Sequence, residues 1–380
     1  MVENAVRALA RSGAVGYEQS VLAPRPYTLP VPGFPYGRLA QLPTRRIEGN
    51  YWVHRPRYMY LVPKRLLYPQ AGPALAYALR RYASRLERPD VIHAHWSYPD
   101  GWAARVLRDH FGCRLVVHAR GTLERVIAQT SPRFRALVTT PLQAADAVIT
   151  NSQALYDDCL GLGVTSERLH IVPNGVDLTM FGPADKHHSK RLLELDPERL
   201  MFLYCGNLRE VKGVDLLAAA IPQLLAARPQ LDFVFVGGGE LLSRLRRELA
   251  GPIAARRVVL AGPKPQAEVV RYMQAADLLV LPSRSEARGN VILEALSCET
   301  PVAAARVGGI PELMRNTHGV LFEPESTAAI TDALLDLSAR PARLVQLGAA
   351  GGRFVRESGL TWQTHAEQTL AVYRSLMEAV

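Results

Sequence analysis

The chain contains no apolar run approaching the roughly 20 residues that cross a bilayer. It also lacks the basic start, short apolar core and small-residue cleavage site of a leader peptide; its opening, MVENAVRALARSG, reads as an amphipathic helix. Cysteine is scarce. Cys113, Cys159, Cys205 and Cys298 are scattered, with no C-x-x-C or other metal-ligand spacing. That excludes a disulfide framework or zinc ribbon and suits small core residues in a reducing compartment. No Asp-x-Asp triad, low-complexity tract or basic stripe interleaved with aromatics occurs, so nucleic-acid binding has only charge in its favour.

What is present is a globular composition: 380 residues, 48% hydrophobic and 21% charged, enough for two domains. The formal net charge of +10 favours anionic partners such as phosphorylated small molecules or an acidic lipid surface. An arginine-rich background accounts for it equally well. The expected location is cytoplasmic, with peripheral attachment to the inner face of a membrane as an option.

Two regions repeat one rhythm of short apolar run, loop and amphipathic helix. The runs are DVIHAHW, RLVVHARG and DAVITNS in the first half, and LMFLYCGN, LDFVFVGGG, RVVLAGP, DLLVLPS and TPVAAARVGG in the second. Their continuous apolar character predicts parallel sheets covered by helices on both faces. Ligands of such sheets bind outside the carboxyl ends of the strands, where the polar tails of these runs lie. Pro173 and the Asn174–Gly175 pair mark the break, giving domains at 1–172 and 173–362. The final segment, 363–380, is helical by periodicity, with Trp362, Ala366, Leu370, Tyr373 and Met377 on one face, and packs on either domain. Residues 24–75 are rich in Pro, Tyr and Arg and read as a surface or cleft-lining excursion.

Four strand ends carry candidate chemistry. In LYCGNLREVKGVDLL, Gly206 and Asn207 turn the chain, and Arg209 and Lys212 follow before a helix; they suit a diphosphate clamp or, alone, two solvated cations. In VFVGGGE, Gly238 and its neighbours allow a close backbone approach by a ligand or simply a tight turn. In SEARGNVILEAL, Gly289, Asn290 and Val291 open a helix whose free amides favour an anion, with Asn290 or Ser285 as its cap. Glu294 then suits a ribose and Glu286 whatever lies beyond the phosphate; a helix-start acid and a loop acid in water are the even alternative. RVGGIPELM makes a further strand-to-helix turn.

Together these segments resemble glycosyltransferase family 4. LVLPSRSEARGNVILEALSCETPVAAARVGGIPELM is similar to its E-x7-E element, IVPNGVDLTMF to its interdomain linker and GNLREVKGVDLL to its phosphate loop. VLAPRPY, DVIHAHWSYPDGWAA and LVVHARGT resemble a branch active in bacterial surface polysaccharides, of the teichuronic-acid type. The resemblance implies a GT-B fold of two facing Rossmann-like domains and retaining transfer of a sugar from a nucleoside diphosphate. It implies a glycan or polyprenyl-linked acceptor, Glu294 on the donor ribose, Glu286 on the sugar, Lys212 with Arg209 on the diphosphate, and no metal or other cofactor.

Four departures stand out. Asn207 replaces the family's Arg, and Ala287 replaces the Gly after the first Glu, with Arg288 beside it. Arg120–Gly121 stands where many relatives have His-Gly; His118 lies two residues earlier, and Arg120 is expected in the cleft with His118 in support. Finally, Met1 opens directly into the first helix, so the N-terminal domain is expected to lack its first strand. That motivates the alternative of an inactive transferase-like scaffold or an N-terminally truncated gene product.

Overall fold

The computed structural model describes residues 2–14, 16–27, 42–60, 68–314 and 316–378. The chain divides into two compact units, Met1–Pro173 with Gln363–Val380, and Asn174–Trp362. The division falls one residue after the expected boundary, and Leu169–Ile171 is the last strand of the first unit before it.

The first unit is built on a parallel sheet of four strands in the order β6–β7–β8–β9: Val91–Ala94, Arg114–His118, Ala147–Thr150 and Leu169–Ile171. Parallel neighbours need crossover connections. These are the helices Trp102–Phe111, Pro132–Ala144 and Gln153–Gly161. Local chemistry sets their ends. Ser131 and Ser152 accept from the amides of Phe134 and Leu155, while Gly112, at φ +63°, ends the first in a left-handed turn. Leu115, Val116, Val117, Val148 and Ile149 are fully buried, as expected of strands covered on both faces.

The expected excursion holds structure of its own. β1 (Ser20–Leu22), β4 (Tyr51–His54) and β3 (Arg45–Glu48) form a small sheet, and β2 (Arg25–Tyr27) pairs with β5 (Arg57–Met59). Residues 28–41 and 61–67 of that stretch lie outside the described residues. The helix Trp362–Glu378 contributes its residues from 363 onward to the first unit, and its buried face runs through His365, Ala366, Thr369, Leu370 and Val372. Met377, expected on that face, is 45% exposed, and Leu376 packs against the sheet's core in its place.

The second unit carries a parallel sheet of six strands in the order β12–β11–β10–β13–β14–β15. These are Val258–Gly262, Leu231–Val236, Leu200–Cys205, Leu278–Leu281, Val302–Ala305 and Gly319–Phe322. Side chains alternate between the two faces: Phe202, Tyr204, Phe233 and Phe235 enter one core, Met201, Leu203, Val234 and Val236 the other. The strand order reverses between β10 and β13, so the topological switch point, where such sheets bind ligands, lies between their two carboxyl ends.

Candidate active site

At that switch point in the second unit, two loops are joined by ions and by backbone. Lys212, after β10, holds Glu286, after β13, with Nζ to Oε2 at 2.5 Å. One turn away Arg284 grips Asp215 through two parallel bonds of 2.7 and 2.8 Å. The Arg284 guanidinium keeps the Asp215 carboxyl below its ordinary range. The Arg284 amide donates to the Val211 carbonyl at 3.0 Å. Gly213, at φ +64°, lies so close to Pro282 that a Cβ there would stand 1.8 Å from the carbonyl oxygen. The two loops therefore form one rigid unit, and the cation at 212 is already oriented against the acid at 286.

The glycines after β11 serve the same assembly. A Cβ on Gly237 would lie 1.9 Å from the Gly206 carbonyl oxygen, and one on Gly239 2.3 Å from that of Leu208. The Leu208 amide donates to Gly238 and its carbonyl accepts from Leu241, both at 3.0 Å. The group that approaches these glycines is thus the chain's own phosphate-type loop. Gly238 differs: its added Cβ would meet only Pro263, at ordinary contact distance. Asn207 and Arg209 are exposed, and Arg209 makes a loose 3.7 Å pair with Glu240. The Tyr204 hydroxyl donates to the Asn207 carbonyl at 2.8 Å and fixes the turn.

The helix Asn290–Ser297 begins after Gly289, which takes φ +79° as its N-cap. No side chain caps it, contrary to the expectation for Asn290 or Ser285; Asn290 Oδ1 instead accepts from Asn174 Nδ2 at 3.1 Å. The Ile292 amide, expected to be free, donates to the Gly289 carbonyl at 2.9 Å. Glu294 stands a turn into the helix, and burial pushes its carboxyl up to about 7. Its charge also acts on the partly buried Cys205 thiol at the end of β10, next to the loop that begins at Gly206. Arg288 is buried, and the Glu312 carboxylate offsets part of its desolvation.

In the first unit the ends of β6 and β7 gather imidazoles. His93 and His95 share one face at the end of β6, and His118 ends β7. His118 is fully buried, and neither ring nitrogen has a partner among the described residues. His93 Nδ1 lies 2.5 Å from the Tyr373 hydroxyl, and His365 Nδ1 donates to the Pro173 carbonyl at 2.9 Å. Arg120 is buried and reaches His95 Nδ1 with Nη2 at 2.7 Å; burial brings its pKa down to about 9. The Glu124 carboxylate beneath it accepts from Ser97 at 2.7 Å and from the Gly121 amide at 2.8 Å. One ring nitrogen each of His93, His95 and His118 falls within a 4.8 Å triangle, a set a transition metal could use. A guanidinium in contact with one of those rings opposes such an ion. The signal for this cluster in the sequence is the alternating HAH at a strand end, yet its other members, His118, Arg120, His365 and Tyr373, come from two distant segments.

Models of known families match both units. One described as "Glycosyltransferase Family 4" matches residues 1–180, and one described as "Glycosyl transferases group 1" matches residues 199–340. The protein is a glycosyltransferase. A D-inositol 3-phosphate glycosyltransferase from Catenulispora acidiphila is 34% identical over 310 residues, spanning 76% of this chain and 73% of that protein. One from Thermobifida fusca is 33% identical over 310 residues, spanning 76% and 70%. The chain belongs to glycosyltransferase family 4. Among solved structures, sucrose-phosphate synthase from Thermosynechococcus elongatus superposes with a TM-score of 0.81 at 25% identity, covering 99% of this chain and 93% of that one. Anabaena HepE, solved with UDP and glucose, shares the fold at a TM-score of 0.71 and 20% identity, with 85% and 86% covered. The architecture is the GT-B arrangement of two α/β domains with parallel sheets. Among the described residues no helix is long and apolar enough to cross a membrane.

Proposed function

We propose that the protein transfers a sugar from a nucleoside diphosphate to a glycan hydroxyl, retaining the anomeric configuration and using no metal ion. The observation that carries this reading is the Lys212–Glu286 pair, 2.5 Å long, at the switch point of the second sheet. In the reaction the acceptor oxygen bonds to the anomeric carbon. The bond from that carbon to the diphosphate oxygen breaks, and its electron pair leaves with the diphosphate. The acceptor proton passes to a phosphate oxygen of that leaving group. Lys212, Arg209 and the helix-start amides of Asn290 and Val291 provide the positive potential. Gly206, Asn207, Gly238 and Gly289 bring backbone close to the donor, Glu294 accepts from its ribose, and Glu286 receives hydroxyls of the moving sugar.

For the acceptor, a lipid-linked glycan of bacterial surface polysaccharide is favoured by the net charge of +10 and by exposed Arg45, Arg46 and Arg57 on the small sheets of the first unit. A small cyclitol phosphate is the second reading, favoured by the names of the relatives from Catenulispora acidiphila and Thermobifida fusca. A panel of UDP- and GDP-sugars, offered with a polyprenyl-diphosphate glycan or with inositol 3-phosphate, distinguishes them. Full activity after chelation and an α-product from an α-donor are expected. Loss of activity with chelator overturns metal independence, and a β-product overturns retention. Sedimentation with anionic vesicles is expected to fall as salt rises; salt-insensitive binding counts against charge-driven attachment.

A further inference from the structure

We propose that Arg120 is a positioning residue that locks His95 in its Nε2–H form, so that a neutral imidazole N–H at the carboxyl end of β6 donates to an oxygen of the acceptor substrate. A guanidinium offers only N–H groups. With Arg120 Nη2 at 2.7 Å from His95 Nδ1, that nitrogen must present its lone pair. The single proton of the neutral ring then sits on Nε2. Adding a second proton would set N–H against N–H beside a fixed cation.

The surroundings give a second proton no support. From β6 itself comes His93, whose centroid is 4.4 Å away and whose Nδ1 is engaged by the Tyr373 hydroxyl. From the end of β7 comes His118, at 5.9 Å, and from the loop after it Arg120. From the C-terminal helix come His365, committed to the Pro173 carbonyl, and Tyr373. The buried carboxylate near Arg120 is Glu124, whose two oxygens already accept from Ser97 and the Gly121 amide. Burial, with His93, Arg120 and His365, holds His95 well below its ordinary range. The ring is therefore neutral across the physiological range and fixed in one tautomer. His95 directly follows β6, on the side of a parallel sheet where ligands bind, and it is partly exposed while His118 and Arg120 are buried. The same contact argues against a metal on the histidine triangle, because a metal on His95 Nε2 would require the proton on Nδ1, against the guanidinium.

The identity of the oxygen rests on the transferase reading; the tautomer does not. The full chain, labelled with 15N-histidine, is studied by two-bond 1H–15N correlation, with His95→Gln used to identify the His95 pattern. The expected spectrum of the unmodified protein shows His95 as Nε2–H, unchanged from pH 8 to pH 5.5. Arg120→Met is expected to mix the two neutral tautomers of His95, since burial and His93 still hold the ring below its ordinary range. Transfer in that variant falls roughly 10- to 100-fold in kcat, with donor KM within about twofold. Arg120→Lys, which keeps a donor, recovers the tautomer and part of kcat. An Nδ1–H signal for His95 in the unmodified protein, or an unchanged tautomer in Arg120→Met, overturns the proposal. So does a joint shift of His93, His95 and His118 on adding one equivalent of zinc, which would mark a metal site. Should Arg120→Met fail to fold, the unmodified spectrum and Arg120→Lys decide. Absence of transfer with every donor would sink the transferase reading and leave the tautomer result standing.

Discussion

The two units treat the polar groups at the carboxyl ends of their strands in opposite ways, although both pair ions at the amino ends. At the carboxyl ends in the second unit charges are matched in pairs: Lys212 with Glu286 and Arg284 with Asp215. In the first unit the strand ends hold neutral rings around one buried guanidinium, whose Nη2 engages an imidazole. Paired ions bridging two loops set a cation and an acid at fixed places before any ligand arrives, which suits a diphosphate. Neutral N–H groups suit uncharged hydroxyls, and they keep their form only while the pH stays above the range in which the rings would charge.

The strongest way to break this contrast is at the pair itself. Glu286→Gln is expected to lower transfer about 100- to 1,000-fold while donor binding, measured by calorimetry, changes little. Equal loss of donor affinity would mean that Glu286 only shapes the loop. Next comes Gly213→Ala, which forces a Cβ against the Pro282 carbonyl at a positive φ; about 3 kcal/mol or more of stability should be lost, seen as early melting of the second unit alone. A wild-type melting curve for that variant would mean the two loops are not tightly joined.

Acid should reverse the order of vulnerability. Burial lowers the pKa of His93 to about 3 and of His365 to about 4. A base whose folded pKa is depressed adds stability that is present above its unfolded value near 6.5 and is lost as pH falls towards the folded value. The first unit should therefore weaken between about pH 6.5 and pH 4, with the second still folded, in hydrogen exchange followed unit by unit. Simultaneous unfolding would erase the distinction. A smaller effect concerns Glu294, whose carboxyl is raised to about 7 by burial. On the proposal that Glu294 accepts from the donor ribose, its ionised form is the better acceptor; donor affinity should rise with pH by up to roughly tenfold per unit below 7 and level off above, and Glu294→Gln should flatten the curve. Smallest of all, Arg209→Ala should leave stability within about 0.5 kcal/mol, since its pair with Glu240 is long and exposed, while donor affinity falls by a few-fold.

The parallel strands were legible because each is a continuous apolar run ending in polar residues, a pattern that little else in a globular chain produces. β9 and β15 were not, since LHI and GVLF are too short to show a period. The helix at Asn290 could be read from Gly-Asn before an apolar stretch, but not its cap, because Asn290 is engaged by Asn174, 116 positions away. The glycines after β11 announced a close approach without saying what approached. That it is the 206–208 loop depends on a register set only when the sheet forms. The Lys212–Glu286 contact was half visible, as two residues with one purpose and no sign of their touching. The roles of His93 and His95 were not legible, because they depend on Arg120, His118 and His365, which only the folded sheet and the closing helix bring alongside.

The chain leaves the first unit after Pro173, completes the second, and returns with Gln363–Val380 to cover His93 and His118. Synthesis runs in one direction, and domains fold as their residues become available. The unit begun first is thus the one finished last: until its closing helix is made, the histidine cluster stays open on one side, while Asn174–Trp362 is already an uninterrupted segment able to fold. On the ribosome, the second unit is complete before the first can be.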